Sequence, residues 1–389
     1  MNFIPFNAAP WMGTECDYIK SAYEAMHISG DGWFTKRCQQ ILEEVLGAPK
    51  VFLTTSCTDA LEMAALLLDI KPGDEVILPS FTFVSAANAF VLRGAKPVFI
   101  DIRPDTLNID EALLENLISP ATRAIVVVHY AGVGCEMGRI LEIARKYGIA
   151  VIEDNAHGLL GRFEGKPLGT FGCLATQSFH ETKNFSCGEG GALVINNERY
   201  LERSEILREK GTNRSRFFRG QVDKYSWVDL GSSFLPSDIL AAVLFAQLER
   251  RDYIQKRRQK IWERYQAGLC TWAKQHGIRL PFVPWHCEQS YHMFHVRMPT
   301  VELRTAMIEC LKQQEIQSVF HYVPLHLSKM GRRFGGFPGQ CPVTERVSDT
   351  LLRLPMYTML SEQDHERVIE AITAFTPQSA ELVCAAMAL

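Results

Sequence analysis

The 389-residue sequence lacks the features that mark several common classes of protein. Its eleven cysteines are scattered, with no C-x-x-C pair and no Cys/His cluster at zinc-finger spacing, so no disulfide framework and no metal site are predicted. No stretch approaches the roughly 18 apolar residues of a membrane-spanning helix, and residues 1–11 lack a basic region followed by an apolar run. We therefore expect a soluble, cytoplasmic protein with reduced thiols.

The chain also has no excess of positively charged residues. The 41 Lys and Arg residues are interspersed among 44 Asp and Glu residues, which gives a formal net charge of −3. Such a surface offers no basic stripe for a phosphodiester backbone and no polybasic face for anionic lipids. Neither nucleic acid nor a membrane is expected as a partner.

Short apolar runs bounded by Gly, Pro and Asp recur through the first half of the chain, with helical patterns between them. Runs that are apolar throughout are typical of strands buried on both faces of a mostly parallel sheet covered by helices. Asp110 is predicted to cap a helix whose apolar face begins with Leu113 and Leu114. The predicted strands are 50–53, 75–78, 97–100, 124–128 and 149–152, and the predicted helices are 58–68, 85–92, 110–117 and 137–147.

The pattern changes near Pro236. Residues 237–269 predict one or two long helices that lead out of the first domain, and shorter elements follow at 290–296, 304–313, 318–322 and 364–375. A chain of this length favours two domains over one. We predict an α/β fold with a large domain at 1–250 and a smaller C-terminal α/β domain at 251–389.

The strongest functional signal is a lysine in a polar turn downstream of an acidic strand end. The turn reads SFHETKN at 178–184, and the strand end reads VIED at 151–154. Such a pair suits pyridoxal phosphate: Lys183 would hold the cofactor aldehyde as a Schiff base, and Asp154 would keep the ring nitrogen protonated. Burial would lower the pKa of Lys183 and let it act as general base. Glu153 alternates to the other side of the strand and is predicted to be structural.

The SFHETKN turn, together with NRSRFFRGQVDKYSWVDLGSS at 213–233, resembles the DegT/DnrJ-type sugar aminotransferases. The resemblance is strongest to their galactose-forming subgroup, whose members form 4-amino-4,6-dideoxygalactose linked to dTDP. The similarity runs from about residue 4 to about residue 376. It implies an aspartate-aminotransferase-like fold (pyridoxal phosphate fold type I) and a homodimer with active sites at the subunit interface. Lys183 and Asp154 would then be the catalytic residues, and pyridoxal 5'-phosphate would be the cofactor.

The resemblance also implies cofactor contacts along the chain. The turn TTSCTDAL at 54–61 precedes a helix, where free N–H groups favour a dianion, although such a turn is more often an ordinary N-cap. Phe83 could instead be a core aromatic, and His157 a core histidine. Ser233 stands where many members have an Asn that reaches the partner subunit's phosphate. The implied roles are phosphate binding by Cys57, Thr58, Ser178 and Ser233, ring stacking by Phe83, and a hydrogen bond near the phenolic oxygen by His157.

Three segments are candidates for the substrate side: 30–35, 212–227 and 321–326. Guanidinium groups suit a pyrophosphate and flat aromatic rings suit a nucleobase, although a basic aromatic loop can equally be a solvated face or a dimer contact. The candidate substrate-binding residues are Trp33, Phe34, Arg214, Arg219, Lys224, Tyr225, His321 and Tyr322.

The resemblance implies a transaminase that moves the amino group of L-glutamate to C4 of a dTDP-linked 4-keto-6-deoxyhexose. Enzymes that aminate sugar C3, or that form the gluco epimer, would share every catalytic residue. A non-catalytic paralogue is a further alternative. Related sugar dehydratases replace the lysine with histidine, so Lys183 argues against that activity.

Overall fold

The computed structural model describes residues 2–376, and a seven-stranded sheet forms its largest layer. The predicted strands are present with ends shifted by one or two residues. In chain order the described strands are β1 (Lys50–Thr54), β2 (Glu75–Pro79), β3 (Lys96–Ile100), β4 (Thr122–Val128), β5 (Ala150–Asp154), β6 (Arg162–Phe163), β7 (Lys166–Pro167), β8 (Leu174–Ser178), β9 (Gly191–Ile195), β10 (Cys287–Glu288), β11 (His295–Arg297) and β12 (Leu351–Arg353).

Helices cover the sheet and continue into the C-terminal part. In chain order the described α-helices are α1 (Glu15–Glu24), α2 (Trp33–Leu46), α3 (Cys57–Leu67), α4 (Ser85–Val91), α5 (Leu114–Leu117), α6 (Met137–Tyr147), α7 (Leu201–Arg208), α8 (Arg214–Phe218), α9 (Asp238–Glu249), α10 (Arg251–Gln275), α11 (Val301–Gln313), α12 (Lys329–Arg333), α13 (Pro342–Thr350) and α14 (Glu362–Thr373). No helix within residues 2–376 is long and apolar enough to cross a membrane.

The large sheet has the order β1-β9-β8-β5-β4-β2-β3. Only β9 runs against its neighbours, β1 and β8, and the pairings from β8 to β3 are parallel. The carboxyl ends of the other six strands therefore lie at one edge. Loops at this edge form ligand sites in open α/β sheets.

Both faces of the large sheet are buried, as the apolar runs predict. On β4, Ala124 and Val126 belong to one hydrophobic cluster, whereas Ile125 and Val127 belong to another. Successive side chains of a strand point to opposite faces, so the two clusters lie on opposite sides. This part of the structure confirms the α/β prediction.

The helix predictions were correct to within a residue or two in the first half, with one exception. The predicted helix at 110–117 is a 3₁₀ turn (Glu111–Leu113) followed by the single-turn helix α5. Asp110 caps it as predicted, since its carboxylate accepts a hydrogen bond from the Ala112 N–H at 3.1 Å. Leu113 is 37% exposed, so the apolar face begins at Leu114 alone and the prediction for Leu113 was wrong.

The C-terminal part has a hydrophobic cluster of its own, built on α10, α11 and α14 with Ile4 from the N-terminal segment. The long helical stretch divides at Arg250, where α9 ends and α10 begins. Strand formation at 290–296 was overpredicted, because only β11 forms there, and the element predicted at 318–322 is reduced to a bridge between Val319 and Arg353. The break at Arg250 fits a domain boundary near residue 250, and this boundary stays a prediction. Residues 377–389, which the sequence assigns to the smaller domain, lie outside the described residues.

Candidate active site

The loops that follow β1, β2, β5 and β8 surround a cavity of about 630 Å³. The sequence-predicted residues that line it come from separate parts of the chain: Cys57, Thr58, Phe83, Asp154, His157, Ser178, Lys183, His321 and Tyr322. The fold brings them together because β1, β5 and β8 end at the same edge of the sheet. The C-terminal part closes the cavity from the other side with His321 and Tyr322.

Lys183 lies in the loop of the hairpin formed by β8 and β9. The turn is closed by the Lys183 N–H, which donates to the His180 carbonyl at 2.9 Å. The side chain is half-buried and faces the cavity. Burial lowers the pKa of Lys183, and this effect is larger than the opposite effect of Cys57 and Asp154, whose negative charges would raise the pKa. A larger fraction of neutral amine is therefore present near pH 7 than for an exposed lysine.

Asp154 is the last residue of β5 and is only 7% exposed. One carboxylate oxygen accepts the Ala156 N–H at 3.2 Å, which fixes the side chain toward the cavity. Burial raises the pKa of Asp154, and the nearby positive charge of Lys183 opposes this shift. A buried carboxylate with spare acceptor capacity gains stability by binding an N–H donor.

Glu153 points the other way and is fully buried. Its carboxylate accepts hydrogen bonds from the N–H groups of Gly169, Phe171 and Gly172 at 2.6–2.8 Å, and from His129 Nε2 at 2.9 Å. The Cys135 N–H donates to the other imidazole nitrogen of His129, so Nε2 carries the proton that Glu153 accepts. The neighbour of Asp154 therefore has a structural role, as predicted.

The turn after β1 leads directly into α3. Ser56 caps the helix by accepting the Asp59 N–H, and the first turn of a helix leaves N–H groups without intrahelical partners. The turn lies against β9: a Cβ on Gly191 would lie 2.3 Å from the Cys57 nitrogen, so only glycine permits this approach. The Thr58 hydroxyl hydrogen-bonds to Ser85 Oγ at 2.7 Å and remains on the cavity wall.

His157 is buried and stacks on His292, with ring centroids 4.2 Å apart. Its Nδ1 atom has no hydrogen-bond partner within the described chain. Burial lowers the pKa of His157, so the ring is neutral near pH 7. Phe83, two residues before α4, is 59% exposed and also lines the cavity.

Two aromatic side chains from the C-terminal part, His321 and Tyr322, line the cavity. The His321 and Tyr322 rings stack at 3.6 Å, and Tyr130 Oη lies 3.1 Å from His321 Nδ1. Burial lowers the pKa of His321 and raises the pKa of Tyr322. Within residues 2–376 these histidines and their neighbours form no group that could hold a metal ion.

The remaining predicted residues lie away from the cavity in this chain. Phe34 is 4% exposed and packs against Tyr18 and Phe245, a core position that does not fit the predicted substrate contact. Arg219 forms an ion pair with Glu205 at 2.8 Å. The predicted residues found on the surface are Trp33, Arg214, Arg219, Lys224, Tyr225 and Ser233.

The cavity also contains residues that the sequence did not indicate. His292 Nδ1 lies 2.9 Å from Asn184 Oδ1, and the Asn184 amide donates to the Ser290 carbonyl at 2.8 Å, which ties the lysine turn to the 290–293 segment. Arg353, at the end of β12, lines the same wall as His321. Asn184 could have been found as the neighbour of Lys183, but no local pattern marks His292 or Arg353.

The sequence matches the model of the DegT/DnrJ/EryC1/StrS aminotransferase family over residues 13–373, so the chain belongs to this family. Among curated proteins, the spore coat polysaccharide biosynthesis protein SpsC of Bacillus subtilis is 32% identical over 384 residues, which cover 95% of this chain and 96% of SpsC. The resemblance found in the sequence is confirmed for the family, and the galactose-forming subgroup stays a prediction.

Solved structures show the same fold. The aminotransferase TlmJ from Streptoalloteichus hindustanus superposes with a TM-score of 0.88 at 32% identity, over 96% of this chain and 98% of TlmJ. The pyridoxal phosphate form of Spr1654, a putative sugar aminotransferase from Streptococcus pneumoniae, gives 0.89 at 26% identity, over 98% of this chain and 100% of that chain. The chain is an enzyme, a pyridoxal phosphate-dependent aminotransferase, and the predicted fold class, enzyme class and cofactor are confirmed.

The residues at the cavity fit this cofactor. Lys183 offers an amine with a lowered pKa, and Asp154 offers a buried carboxylate with spare acceptor capacity. The unpartnered His157 Nδ1 can bond a polar ring substituent, and the N-terminus of α3 presents N–H groups suited to a phosphate. These residues line the same cavity.

Proposed function

We propose that this enzyme transfers the amino group of L-glutamate to C4 of dTDP-4-keto-6-deoxy-D-glucose, giving dTDP-4-amino-4,6-dideoxy-D-galactose and 2-oxoglutarate. The observation that carries the proposal is the pair of groups that line one cavity, Lys183 with a lowered pKa and Asp154 with a raised pKa. Perturbed pKa values in a cleft are typical of catalytic groups.

Pyridoxal phosphate, when bound, supplies a carbonyl carbon that takes up an amino group and a ring that accepts the electron pair left at the reacting carbon. Asp154 holds a proton at the ring nitrogen, since its carboxylate is buried and oriented by the Ala156 N–H. Lys183 Nζ would remove a proton from the donor α-carbon and deliver it to the carbon that carried the cofactor aldehyde, which requires the neutral amine that burial favours. The α3 N-terminus holds the phosphate while Lys183 is free to move the proton.

The sugar assignment is supported by relatives and by the sequence. Spr1654 is described as a putative sugar aminotransferase and SpsC as a protein of polysaccharide biosynthesis. The segment at 213–233 resembles the galactose-forming subgroup. The cavity-lining side chains of His321 and Tyr322 carry imidazole and phenol groups that can bond sugar hydroxyls.

The proposal is tested by incubating the enzyme with the keto sugar nucleotide and L-glutamate, then purifying the product. Proton coupling constants at C4 distinguish an axial amine, expected for the galacto product, from an equatorial amine of the gluco epimer. A Lys183→Ala variant should form no product. A product aminated at C3, or the gluco epimer alone, would contradict this proposal. The enzyme would then be an aminotransferase that acts on a related nucleotide keto sugar or forms the other epimer.

We also propose a homodimer with active sites at the subunit interface, acting in the cytoplasm. Exposed aromatic and basic residues of the 212–227 loop lie outside their own chain's cavity, among them Trp227 at 79% and Phe218 at 69% exposure. Such residues can reach a cavity if it belongs to a second copy. The predicted phosphate contact of Ser233 and substrate contacts of Arg214, Arg219, Lys224 and Tyr225 would then be made across the interface.

A further inference from the structure

The turn that carries Lys183 contains no helix or strand. Its described backbone hydrogen bonds stay within the hairpin of β8 and β9: the Glu181 N–H donates to the Gly188 carbonyl at 2.9 Å, and the Lys183 N–H donates to the His180 carbonyl at 2.9 Å. Such bonds shape the turn but do not fix it against the rest of the cavity. Side-chain contacts must therefore set the place from which Lys183 Nζ acts.

Asn184, the next residue, makes such a contact and is only 5% exposed. Its Nδ2 group donates to the Ser290 carbonyl at 2.8 Å, so Oδ1 is the atom that faces His292 Nδ1 at 2.9 Å. An amide oxygen can only accept, and Nδ1 of His292 therefore carries the proton and donates the hydrogen bond. The imidazole of His292 thus holds the residue beside Lys183.

The ring of His292 also stacks on the ring of His157, with centroids 4.2 Å apart and 16° between the planes. His157 Nδ1 has no hydrogen-bond partner within residues 2–376, so no bond from this atom orients the ring. Burial lowers the pKa of both imidazoles, and two neutral rings stack without charge repulsion. The stack with His292 therefore restricts the orientation of His157.

His292 is itself held by Arg258, a side chain of α10 that is only 2% exposed. The guanidinium donates to the Tyr291 carbonyl at 3.0 Å and to the His292 carbonyl at 2.5 Å. Burial alone lowers the pKa of Arg258 to about 9, with no carboxylate of the described chain raising it. Tyr291 has a left-handed backbone conformation, with φ of 54°. A buried charge without a counterion and a strained backbone are unfavourable, and they persist where the surrounding structure holds a segment in one position.

We propose that His292 is a positioning residue of the transamination reaction. Through its hydrogen bond to Asn184 it fixes the turn of Lys183, and through the stack it fixes the ring of His157. The inference rests on the roles proposed above for Lys183 and His157. Lys183 Nζ must reach two carbon atoms in turn, and a misplacement of about 1 Å can lower a rate by about 10²-fold. One buried imidazole thereby keeps the proton-transferring amine and the His157 ring in a constant relation.

Two variants separate the contacts of His292. His292→Phe keeps a flat ring for the stack but loses the N–H that Asn184 accepts. His292→Asn places an amide N–H near the position of Nδ1 but has no ring to stack. His365→Phe is the matched control, because it also removes a buried imidazole, on α14 and outside the cavity lining.

The first measurement is the half-reaction of the pyridoxal phosphate-loaded enzyme with L-glutamate, followed by the cofactor absorbance. In His292→Phe the rate constant at saturating L-glutamate should fall by about 10- to 100-fold, because the amine is no longer held in place, while the Kd of L-glutamate stays within about threefold. His365→Phe should keep both values. Asn184→Leu removes the same hydrogen bond from its other side and should match His292→Phe. The double variant should be slower than either alone by no more than about twofold.

The second measurement needs no substrate. The pH midpoint of the absorbance of the bound cofactor should shift by about 0.5 pH units or more in His292→Asn, because the freed His157 ring no longer keeps its proposed hydrogen bond near the phenolic oxygen. His365→Phe should keep the wild-type midpoint. A purely structural role of His292 would lower the melting temperature without moving this midpoint.

Wild-type rate constants in His292→Phe and Asn184→Leu would overturn the proposal, as would a double variant whose effect equals the product of the single effects. An unchanged midpoint in His292→Asn would overturn it for the contact with His157. Loss of the fold in both His292 variants, with a wild-type rate in Asn184→Leu, would assign His292 a structural role alone. Failure of the proposed function looks different. The wild type would then react with L-glutamate but with no dTDP-linked keto sugar, and the half-reaction and the midpoint would still decide the role of His292.

Discussion

At the scale of single residues, the cavity separates charged groups from neutral ones. Burial keeps His157, His292 and His321 neutral, since it lowers the pKa of each ring. Asp154 and Lys183 are the groups proposed to hold and transfer protons, and the imidazoles around them can serve as neutral hydrogen-bonding groups. Under these proposed roles, the electrostatic effect on a reacting carbon comes mainly from fixed charges.

The role of Asp154 can be tested by Asp154→Asn, which keeps the shape but removes the charge. We expect kcat to fall by about 10²- to 10³-fold, because a neutral amide cannot hold a proton at the ring nitrogen. Steady-state kinetics at saturating L-glutamate measures the effect. Asp110→Asn, at the half-buried cap of a 3₁₀ turn away from the cavity lining, is the matched control and should keep wild-type turnover. Near-normal turnover of Asp154→Asn would remove Asp154 from this role.

The sequence predicted Lys183 and Asp154 because each lies in a short motif whose chemistry can be interpreted locally. His292 and Arg353 could not be predicted in this way. Their position in the cavity depends on how the C-terminal part folds back: β11 pairs with β12, and Arg258 from α10 donates to the carbonyls of Tyr291 and His292. The spacing of residues along the chain does not indicate these contacts.

At the scale of secondary structure, the end of β5 is held by a buried carboxylate. Glu153→Ala leaves the three backbone donors of Gly169, Phe171 and Gly172 and the His129 ring without their acceptor. We expect a loss of about 3 kcal/mol or more in the free energy of unfolding, measured by urea denaturation at pH 7. Glu198→Ala, in an exposed 3₁₀ turn, is the control. A loss below about 1 kcal/mol would contradict the structural role.

A second prediction concerns α14, where His365 is buried against Tyr265 with ring centroids 4.1 Å apart. Burial lowers the pKa of His365 from 6.5 to about 4. The unfolded chain therefore binds more protons than the folded protein between these values, so His365 costs stability as the pH falls through this window.

His365→Phe should remove this cost. Relative to wild type, it should become more stable by up to about 3 kcal/mol as the pH is lowered from 6.5 to 4, measured by denaturant unfolding across the range. His27→Phe, at an exposed position, should leave the pH dependence unchanged. An identical pH slope in His365→Phe and wild type would show that His365 is protonated freely in the folded protein.

The secondary structure was predictable where burial is continuous and apolar. The strands β1 to β5 follow from such runs, and β9, which is also apolar and buried, was overlooked. The strand β8 was missed for a different reason. The sequence of β8 contains Thr176 and Gln177, which are buried although polar. A polar strand inside a sheet cannot be distinguished from a loop by hydrophobic pattern alone.

At the scale of the whole molecule, the proposed dimer predicts complementation between two inactive variants. One carries Lys183→Ala, and the other carries Arg214→Ala with Tyr225→Ala in the loop. If the loop acts on the partner's cavity, mixed dimers contain one site with both an intact lysine and an intact loop. Co-expression at equal levels should restore about one quarter of wild-type activity in the unseparated dimers, and isolated mixed dimers, which have one complete site of two, should show about one half.

The complementation is measured on tagged mixed dimers, with light scattering to establish the oligomeric state. If the loop serves its own chain, every mixed dimer lacks a complete site and activity stays at the level of the separate variants. That result, or a monomeric mass in light scattering, would contradict the proposal that the active sites lie at the subunit interface.

The hairpin of β8 and β9 has a consequence for cofactor retention. Its loop carries Lys183, while Gly191 at the start of β9 lies against the Cys57 nitrogen of the turn before α3. The proposed Schiff-base lysine and the proposed phosphate-binding turn are therefore linked through one hairpin. Under these proposed roles, a coenzyme whose aldehyde-to-phosphate distance differed from the separation of the two sites could engage one of them but not both.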